Sequence, residues 1–405
     1  MFSAKFYKQN RSNVSKTTDV DIIVLTANGL VQKSADTTFK FKQDSNFWYL
    51  TGLDLSEATV VINKQTNTEY LIMPPRLDHR DMWEGKIDES EVITNSGIKT
   101  VYAHDAGWDV LKKDITSNAK VGTILPARSY EPNYGMYINP AKLVFSKKIK
   151  RLAGKNIVDI RRNLAVLRQV KTAEEISYIK SAVNITADGL FELRKNIKNM
   201  NSENDINIFL THEFALKGAN GHAYNPIIAS GKNAATIHYE KNDSPLSHGS
   251  LLLMDVGAQY GHYAADISRT WSLGLPSKRQ QQVFDAVYNV RQYALNLLKP
   301  GVILREYEKD VRTFMNTQLN NLGLIGKNKS EDQIKYYPHL TSHFLGIDVH
   351  DAGDYDTPLV ANTVLTVEPG IYIPEENIGI RIEDDVLITP NGFNNLSDSI
   401  PTHLV

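Results

Sequence analysis

Between Ser250 and Trp271 the chain reads SLLLMDVGAQYGHYAADISRTW: an apolar stretch runs straight into Asp255, a glycine-bearing turn follows, and a second strand opens at Asp266. Two strands joined this way fold back on each other as a hairpin, which brings both carboxylates to one place. Two like charges buried side by side are costly unless a proton or a cation neutralises them, and metal sites recruit acid pairs for that reason. The fold must either enclose this hairpin and supply the neutralising partner, or leave one acid at a turn and the other on a water-facing strand. On the fragment alone the second reading is the plainer one.

The rest of the chain narrows the choice. With 405 residues, 41% of them hydrophobic, it has material for more than one core and for two or three domains. The first part mixes strands and helices: residues 21–25 read as a strand, and residues 59–62 pair with 70–73 across a polar turn at 63–68, as in a compact α/β unit. Around residues 155–171 the texture changes. A long helix begins there with Thr172 as N-cap and Glu175 at capping-box spacing, and Ile176, Ile179, Val183, Leu190 and Leu193 give it an apolar stripe. We place the domain boundary in this stretch, giving domains 1–160 and 161–405.

The second part alternates amphipathic helices with glycine-punctuated strands. One helix starts at Ser277 with Gln280 at capping-box spacing and stops at Pro300-Gly301; another covers residues 304–322 and ends at Gly323. Strands are predicted at 250–256, 266–271, 363–367 and 379–388. Helices on one face of a largely antiparallel sheet make this an α+β domain.

Charge and cysteine content exclude several classes of function. The formal net charge is -1, and the 45 Lys and Arg are spread along the chain, so there is no footprint for nucleic acid or an anionic membrane. The start, MFSAKFYKQNRSN, has no apolar run, and apolar runs elsewhere are of strand length, so a soluble cytoplasmic protein is expected. There is no cysteine, so any metal must be held by Asp, Glu and His.

Those residues are unevenly placed, with nine of the 11 His lying beyond Asn201. In GIRIEDDVLI, strand alternation puts Arg381 and Glu383 on one face and Ile380 and Ile382 on the other. That polar face either points inward, where both charges need strong partners, or belongs to an edge strand facing water. In TVLTVEPGIYI, Glu368 follows an apolar strand and precedes a Pro-Gly break that could aim it into a cleft, although a lone Glu there is more often a turn residue. HLTSHFLGIDVHD carries His339, His343 and His350 in one apolar loop, and three imidazoles together favour a site over three satisfied core histidines. His238, in IIASGKNAATIHYEKND, taken alone is a loop histidine. Two Asp, two Glu and one His form an oxygen-rich set with enough carboxylates to bridge two divalent ions, favouring Mn, with Zn, Co or Fe(II) as alternatives. Such a pair activates a bridging water and polarises the carbonyl it attacks, so peptide hydrolysis is the natural reaction.

In this order the segments FKQDSNFWYLTG, LRQVKTAEEI, AYNPIIASGKNAATIHY, DVGAQYGHYAADISRT, HLTSHFLGIDVHD, VEPGIYI and GIRIEDD resemble the pita-bread metallopeptidases, most closely the Xaa-Pro aminopeptidases. The resemblance covers nearly the whole chain. It implies a non-catalytic α/β N-terminal domain followed by an α+β pita-bread catalytic domain with a largely antiparallel curved sheet. It implies that Asp255 binds one ion, that Asp266 and Glu383 bridge both, and that His343 and Glu368 bind the other, with Glu368 also handling the proton of the attacking water. His238 and His350 would stabilise the oxyanion and the substrate backbone, His339 would line the proline pocket, and Arg381 would steady the bridging acid. The expected substrates are peptides with proline in second position, and the expected assembly is a homodimer or homotetramer paired through the N-terminal domain.

Two positions depart from the family pattern: Leu340 stands where glycine is usual, and His262 stands where a small residue often precedes Tyr263. Neither is a ligand, so both bear on pocket shape. The competing reading among enzymes is a prolidase, with the same fold and metal set but a requirement for a free carboxylate after proline. A methionine aminopeptidase would not need the first 150 or so residues. Metal-free pita-bread proteins that bind ligands or act on creatine lack ligand residues, and all five are retained here.

Overall fold

The structure, a computed structural model, describes residues 2–75, 80–127, 129–326 and 332–405. The chain divides into two compact units, Met1–Leu167 and Arg168–Val405.

The first unit is built on a six-stranded mixed sheet, in the order Thr100–Tyr102, Thr68–Ile72, Thr59–Asn63, Ile22–Thr26, Val121–Thr123 and Ile157–Asp159. The predicted hairpin is present, with Thr59 opposite Ile72 and Ile62 opposite Glu69. Ile22, Val24, Val61, Tyr70, Ile72 and Val121 fill its core together with Trp108 and Leu111 of the helix His104–Asp114 and Phe145 and Ile149 of Pro140–Ala153.

The second unit carries the chemistry-bearing segments. Its first long helix, Ala173–Asn196, starts where the local pattern puts it: Glu175 N–H donates to Thr172 Oγ1 (3.2 Å), and Glu175 Oε2 accepts from Thr172 N–H (2.7 Å). The other Glu175 oxygen accepts from the Tyr263 hydroxyl at 2.8 Å, which ties the cap to the central hairpin. The helix Lys278–Leu297 has the same capping box, at Ser277 and Gln280, and ends before Pro300. This helix and Leu304–Asn321 bury Val283, Val287, Val290, Val311, Met315 and Leu319 against Leu365, Val367, Ile371, Ile380, Val386 and Ile388 of the strands. All strand pairs among the described residues of this unit are antiparallel.

Two expectations need correcting. The connection inside the hairpin Leu251–Val256 with Ile267–Ser272 is more than a turn, because Ala258–Tyr260 and Tyr263–Ala264 form a hairpin of their own that pairs with Gly221–His222. Its two loop residues, Gly261 and His262, both have positive φ (54° and 72°), the requirement of a tight type I′-like turn. Gly257 lets the two hairpins meet, since a Cβ there would lie 1.8 Å from the Ala265 carbonyl oxygen. Second, the strand expected at 379–388 is broken. Ile378–Arg381 pairs with Gly370–Ile373, whereas Asp384–Thr389 pairs with Val364–Val367 and Gly392–Asn395. At the switch Ile382 N–H donates to Pro369 O (3.3 Å) and Glu383 N–H to Ser268 O (3.0 Å). Consequently Ile380, Arg381, Ile382 and Glu383 are all buried, and no water-facing side exists there.

Behind the switch, fully buried Asp384 accepts from Arg269 Nη2 at 2.8 Å and from Arg291 Nε. Burial alone would raise its pKa, but the two guanidinium groups outweigh that and hold it low. Arg269 also donates to the Glu383 carbonyl at 2.6 Å, fixing the backbone of the neighbouring acid. Removing one member leaves buried charges uncompensated, so Asp384→Ala is expected to cost about 3–5 kcal/mol. A urea-unfolding midpoint within error of the parent protein would refute this.

Candidate active site

Of the four acids and one histidine singled out as metal ligands, the acids sit where strands end. Asp255 lies near the end of Leu251–Val256 and Asp266 just before Ile267–Ser272; in this register Asp255 faces Ser268, so both acids occupy the same end of the hairpin. Glu368 sits in the gap between Val364–Val367 and Gly370–Ile373, with its N–H bonded to Thr341 O at 2.8 Å. Glu383 lies at the sheet switch. His343 is stitched to the strand edge by Thr366, whose N–H donates to His343 O (2.9 Å) and whose Oγ1 accepts from His343 N–H (3.2 Å).

Asp266, His343 and Glu383 present ligand atoms that all lie within 4.8 Å of one another, and all three residues are buried. His343 Nε2 is 3.4 Å from both Asp266 Oδ2 and Glu368 Oε1, which joins Glu368 to the group. Its Nδ1 is 3.1 Å from the carbonyl oxygen of Phe344, to which it can only donate. Neutral His343 therefore turns the Nε2 lone pair toward the acids, the orientation in which imidazole binds metal. Asp255 is reached through Arg381, whose Nη2 donates to Asp255 Oδ2 at 2.5 Å while its Nε lies 3.9 Å from Glu383 Oε2. The expected neighbour relation of Arg381 and Glu383 is present, but the shorter bond of Arg381 goes to Asp255.

Electrostatics follow from this crowding. Burial pushes the Glu368 carboxyl up to about 8, with Asp266 adding to the shift against the pull of His343 and Arg381. Burial, then Asp266, Glu368 and Asp255, raise Glu383 well above the usual carboxylate range, and burial outweighs Arg381 at Asp255. For His343, burial disfavours the cation, but the bond to Asp266 and the charges of Glu368 and Asp266 prevail and lift it to about 9. Buried carboxylates that compete for protons in this way suit a divalent cation, which neutralises several at once. The donor set thus fits a metal.

The other three histidines lie around this group. His350 keeps part of its side chain open to solvent and meets the His343 ring edge-on at 4.4 Å; partial burial and the neighbouring His343 lower its pKa. Its loop is anchored by Asp351, whose Oδ2 accepts from Lys171 Nζ at 2.8 Å and whose other oxygen accepts from Arg168. His238 is exposed, near enough to His339 and His350 for its charge to bear on both. His339 is half-buried, and both its nitrogens are spent: Nδ1 donates to Leu340 O, and Nε2 accepts from the Tyr372 hydroxyl, each at 2.8 Å. Burial, then Arg381, depress its pKa to about 3. It can therefore offer a ligand only its ring face, beside Tyr337 and Tyr372.

Three contributors escaped the sequence reading. Tyr224 donates its hydroxyl to Asp255 Oδ1 at 2.5 Å, Ser268 donates to Glu383 Oε2 at 2.7 Å, and Tyr372 accepts from Arg381 Nη1 at 2.7 Å. Only Ser268 carried a signal, as the residue facing Asp255 across the hairpin.

Residues 177–390 match the model of metallopeptidase family M24, and residues 7–124 match the aminopeptidase P N-terminal domain. The chain is 29% identical to a Haemophilus influenzae Xaa-Pro aminopeptidase over 92% of this chain and 89% of the relative. It is 30% identical to an Escherichia coli Xaa-Pro aminopeptidase over 91% and 89%. Among solved structures, zinc-substituted E. coli aminopeptidase P in complex with product superposes with a TM-score of 0.85, at 26% identity, covering 99% of this chain and 96% of that one.

A divalent ion entering the group must displace the protons that Glu368 and His343 hold up to about 8 and about 9. Uptake by metal-free protein is expected to release protons and to tighten as pH rises from about 6 to about 9. Calorimetric titrations in buffers of different ionisation enthalpy measure the release; identical heats in all buffers would contradict it.

Proposed function

The chain belongs to metallopeptidase family M24, and from that premise we propose that it is a metal-dependent aminopeptidase that removes an N-terminal residue preceding proline. The observation that carries this reading is the convergence of Asp266, His343 and Glu383, with Glu368 one hydrogen-bond length beyond, beside a histidine whose only free surface is its ring face.

We assign Asp255, Asp266, His343, Glu368 and Glu383 as ligands of two divalent ions. Manganese is the proposed native metal, because four carboxylates and one imidazole make an oxygen-rich set. When bound, the metals supply Lewis-acid activation of water and of the scissile carbonyl. The chain's residues do the rest. Glu368 takes the proton of the attacking water and delivers it to the proline nitrogen as the bond breaks. His350 and His238, exposed beside the ligand group, donate to the oxyanion and the substrate backbone. Arg381 holds Asp255 in place, and the His339 face forms one wall of an apolar slot for the proline ring.

A homodimer or homotetramer paired through the first unit belongs to this proposal, supported by exposed apolar side chains there such as Trp83 and Tyr137. A cytoplasmic location is also part of it, and a cysteine-free chain of near-zero net charge is compatible with that. Among the described residues no helix is long and apolar enough to cross a membrane.

Peptides of the form Xaa-Pro-Xaa are expected to lose their first residue with higher kcat/KM than Xaa-Pro dipeptides, and Xaa-Ala peptides are expected to be poor substrates, because the slot discriminates by shape. A clear preference for the dipeptide would make the protein a prolidase. His350→Ala should lower turnover about 10²- to 10³-fold, the usual scale for one oxyanion donor, with metal content unchanged. Asp266→Ala should lose both activity and metal, and elemental analysis separates the two cases.

A further inference from the structure

The segment carrying His238 is closed by a buried acid that the reaction does not otherwise use. Glu203 is the first residue of the helix Glu203–Leu216 and is fully buried. It does not cap its own helix: Ser202 Oγ accepts from Asp205 N–H at 3.1 Å, and Asp205 Oδ2 accepts from Ser202 N–H at 3.1 Å. The Glu203 carboxylate turns instead to the segment 230–244. Its Oε1 accepts from Ser230 N–H (2.7 Å), Ser230 Oγ (2.9 Å) and Asn233 Nδ2 (3.0 Å). Its Oε2 accepts from the Tyr239 hydroxyl (2.8 Å) and Ser244 N–H (3.0 Å). Glu203 N–H returns a bond to Ser244 O at 2.9 Å.

Both ends of the segment and two of its interior side chains thus meet on one carboxylate. All these partners are uncharged, and the helix N-terminus supplies the favourable field for the acid. From the other side the turn Gly231–Ala235 rests on Gly379, where an added Cβ would lie 1.8 Å from Ala234 O. Residues 236–238 are therefore fixed from both ends, and His238 directly precedes Tyr239. None of the six Glu203 bonds is made to a ligand side chain, while the strand ending at Ser230 pairs with the strand of Asp255, so metal content separates an effect on His238 from one on the ligands.

We infer that Glu203 is the positioning residue for His238, holding through Ser230, Asn233, Tyr239 and Ser244 the loop that delivers this imidazole to the substrate. The inference rests on the role assigned above to His238. Glutamine at this position would set an NH₂ group against donors, so one bond becomes a repulsion whichever way the amide turns. Loss of such an outer support costs about 10- to 100-fold in activity.

The test uses metal-loaded enzyme and an Xaa-Pro-Xaa tripeptide. Glu203→Gln is expected to lower kcat about 10- to 100-fold with metal content unchanged, and Tyr239→Phe, which removes a single hydroxyl and keeps the fold, is expected to lower it less. In a His238→Ala background neither substitution should lower kcat further, because there is no imidazole left to misplace. Losses that multiply in that background, loss of metal, or a His238→Ala variant as active as the parent would each overturn the inference. If Glu203→Gln does not fold, the Tyr239→Phe comparison decides it in the same way. Failure of the parent enzyme to cleave the tripeptide would sink the proposed function instead, and is read separately.

Discussion

Four carboxylates share one buried space, and most of what surrounds them answers that single constraint. Asp255 and Asp266 arrive on one hairpin, Glu368 on a strand end and Glu383 on a sheet switch; Asp266 raises the cost of ionising the other three, and Asp255 adds to it at Glu368 and Glu383. Compensation from the protein comes from Arg381, bonded to Asp255 and 3.9 Å from Glu383, from the Tyr224 and Ser268 hydroxyls, and from His343. One guanidinium cannot balance four acids, so the arrangement calls for dications. The backbone pays for it once more at residues 382–383, where the chain leaves one sheet for another and Glu383 is delivered with its backbone held by Ser268 and Arg269.

That switch also explains what could and could not be read from the sequence. The capping boxes at Thr172 and Ser277 are local patterns with local causes, and both helices begin where those residues place them. The acid hairpin was legible for the same reason, since its apolar run and its glycines specify a chain reversal whatever the rest of the molecule does. The break between Arg381 and Asp384 was not, because residues 379–388 read as one continuous strand and only the competing partners, Gly370–Ile373 and Val364–Val367, divide it. Alternation then misleads: with a different sheet on each side of the break, isoleucine and charged residues are buried together. The small inner hairpin was hidden by a similar effect, since three paired residues flanked by glycine look like a loop until Gly221–His222 supplies the third strand.

For the site, the ligand-type residues were visible because carboxylates at the ends of apolar strands are chemically conspicuous. Their supports were not. Tyr224 and Tyr372 are aromatic residues in segments that already looked hydrophobic, and only the fold shows that their hydroxyls face Asp255 and His339. Glu203 and Asp351 carried no distinguishing signal among the 46 acids of the chain, and only the fold shows the buried networks they hold.

The three histidines outside the ligand group follow one design. Each sits in irregular backbone beside a carboxylate that holds the loop and does not bond the imidazole: Glu203 closes the segment of His238, Asp351 binds Lys171 and Arg168 next to His350, and Glu308 accepts from Thr341 N–H at 2.9 Å two residues after His339. Arg312, the ion-pair partner of Glu308, donates to the His339 carbonyl at 2.7 Å. The acids thus act on backbone position and make no bond to the rings. An acid bonded directly to the ring would favour the imidazolium, as Asp266 does for His343. At these loops the acids fix the backbone and leave the ring nitrogens to other partners, as the Leu340 carbonyl and the Tyr372 hydroxyl are for His339.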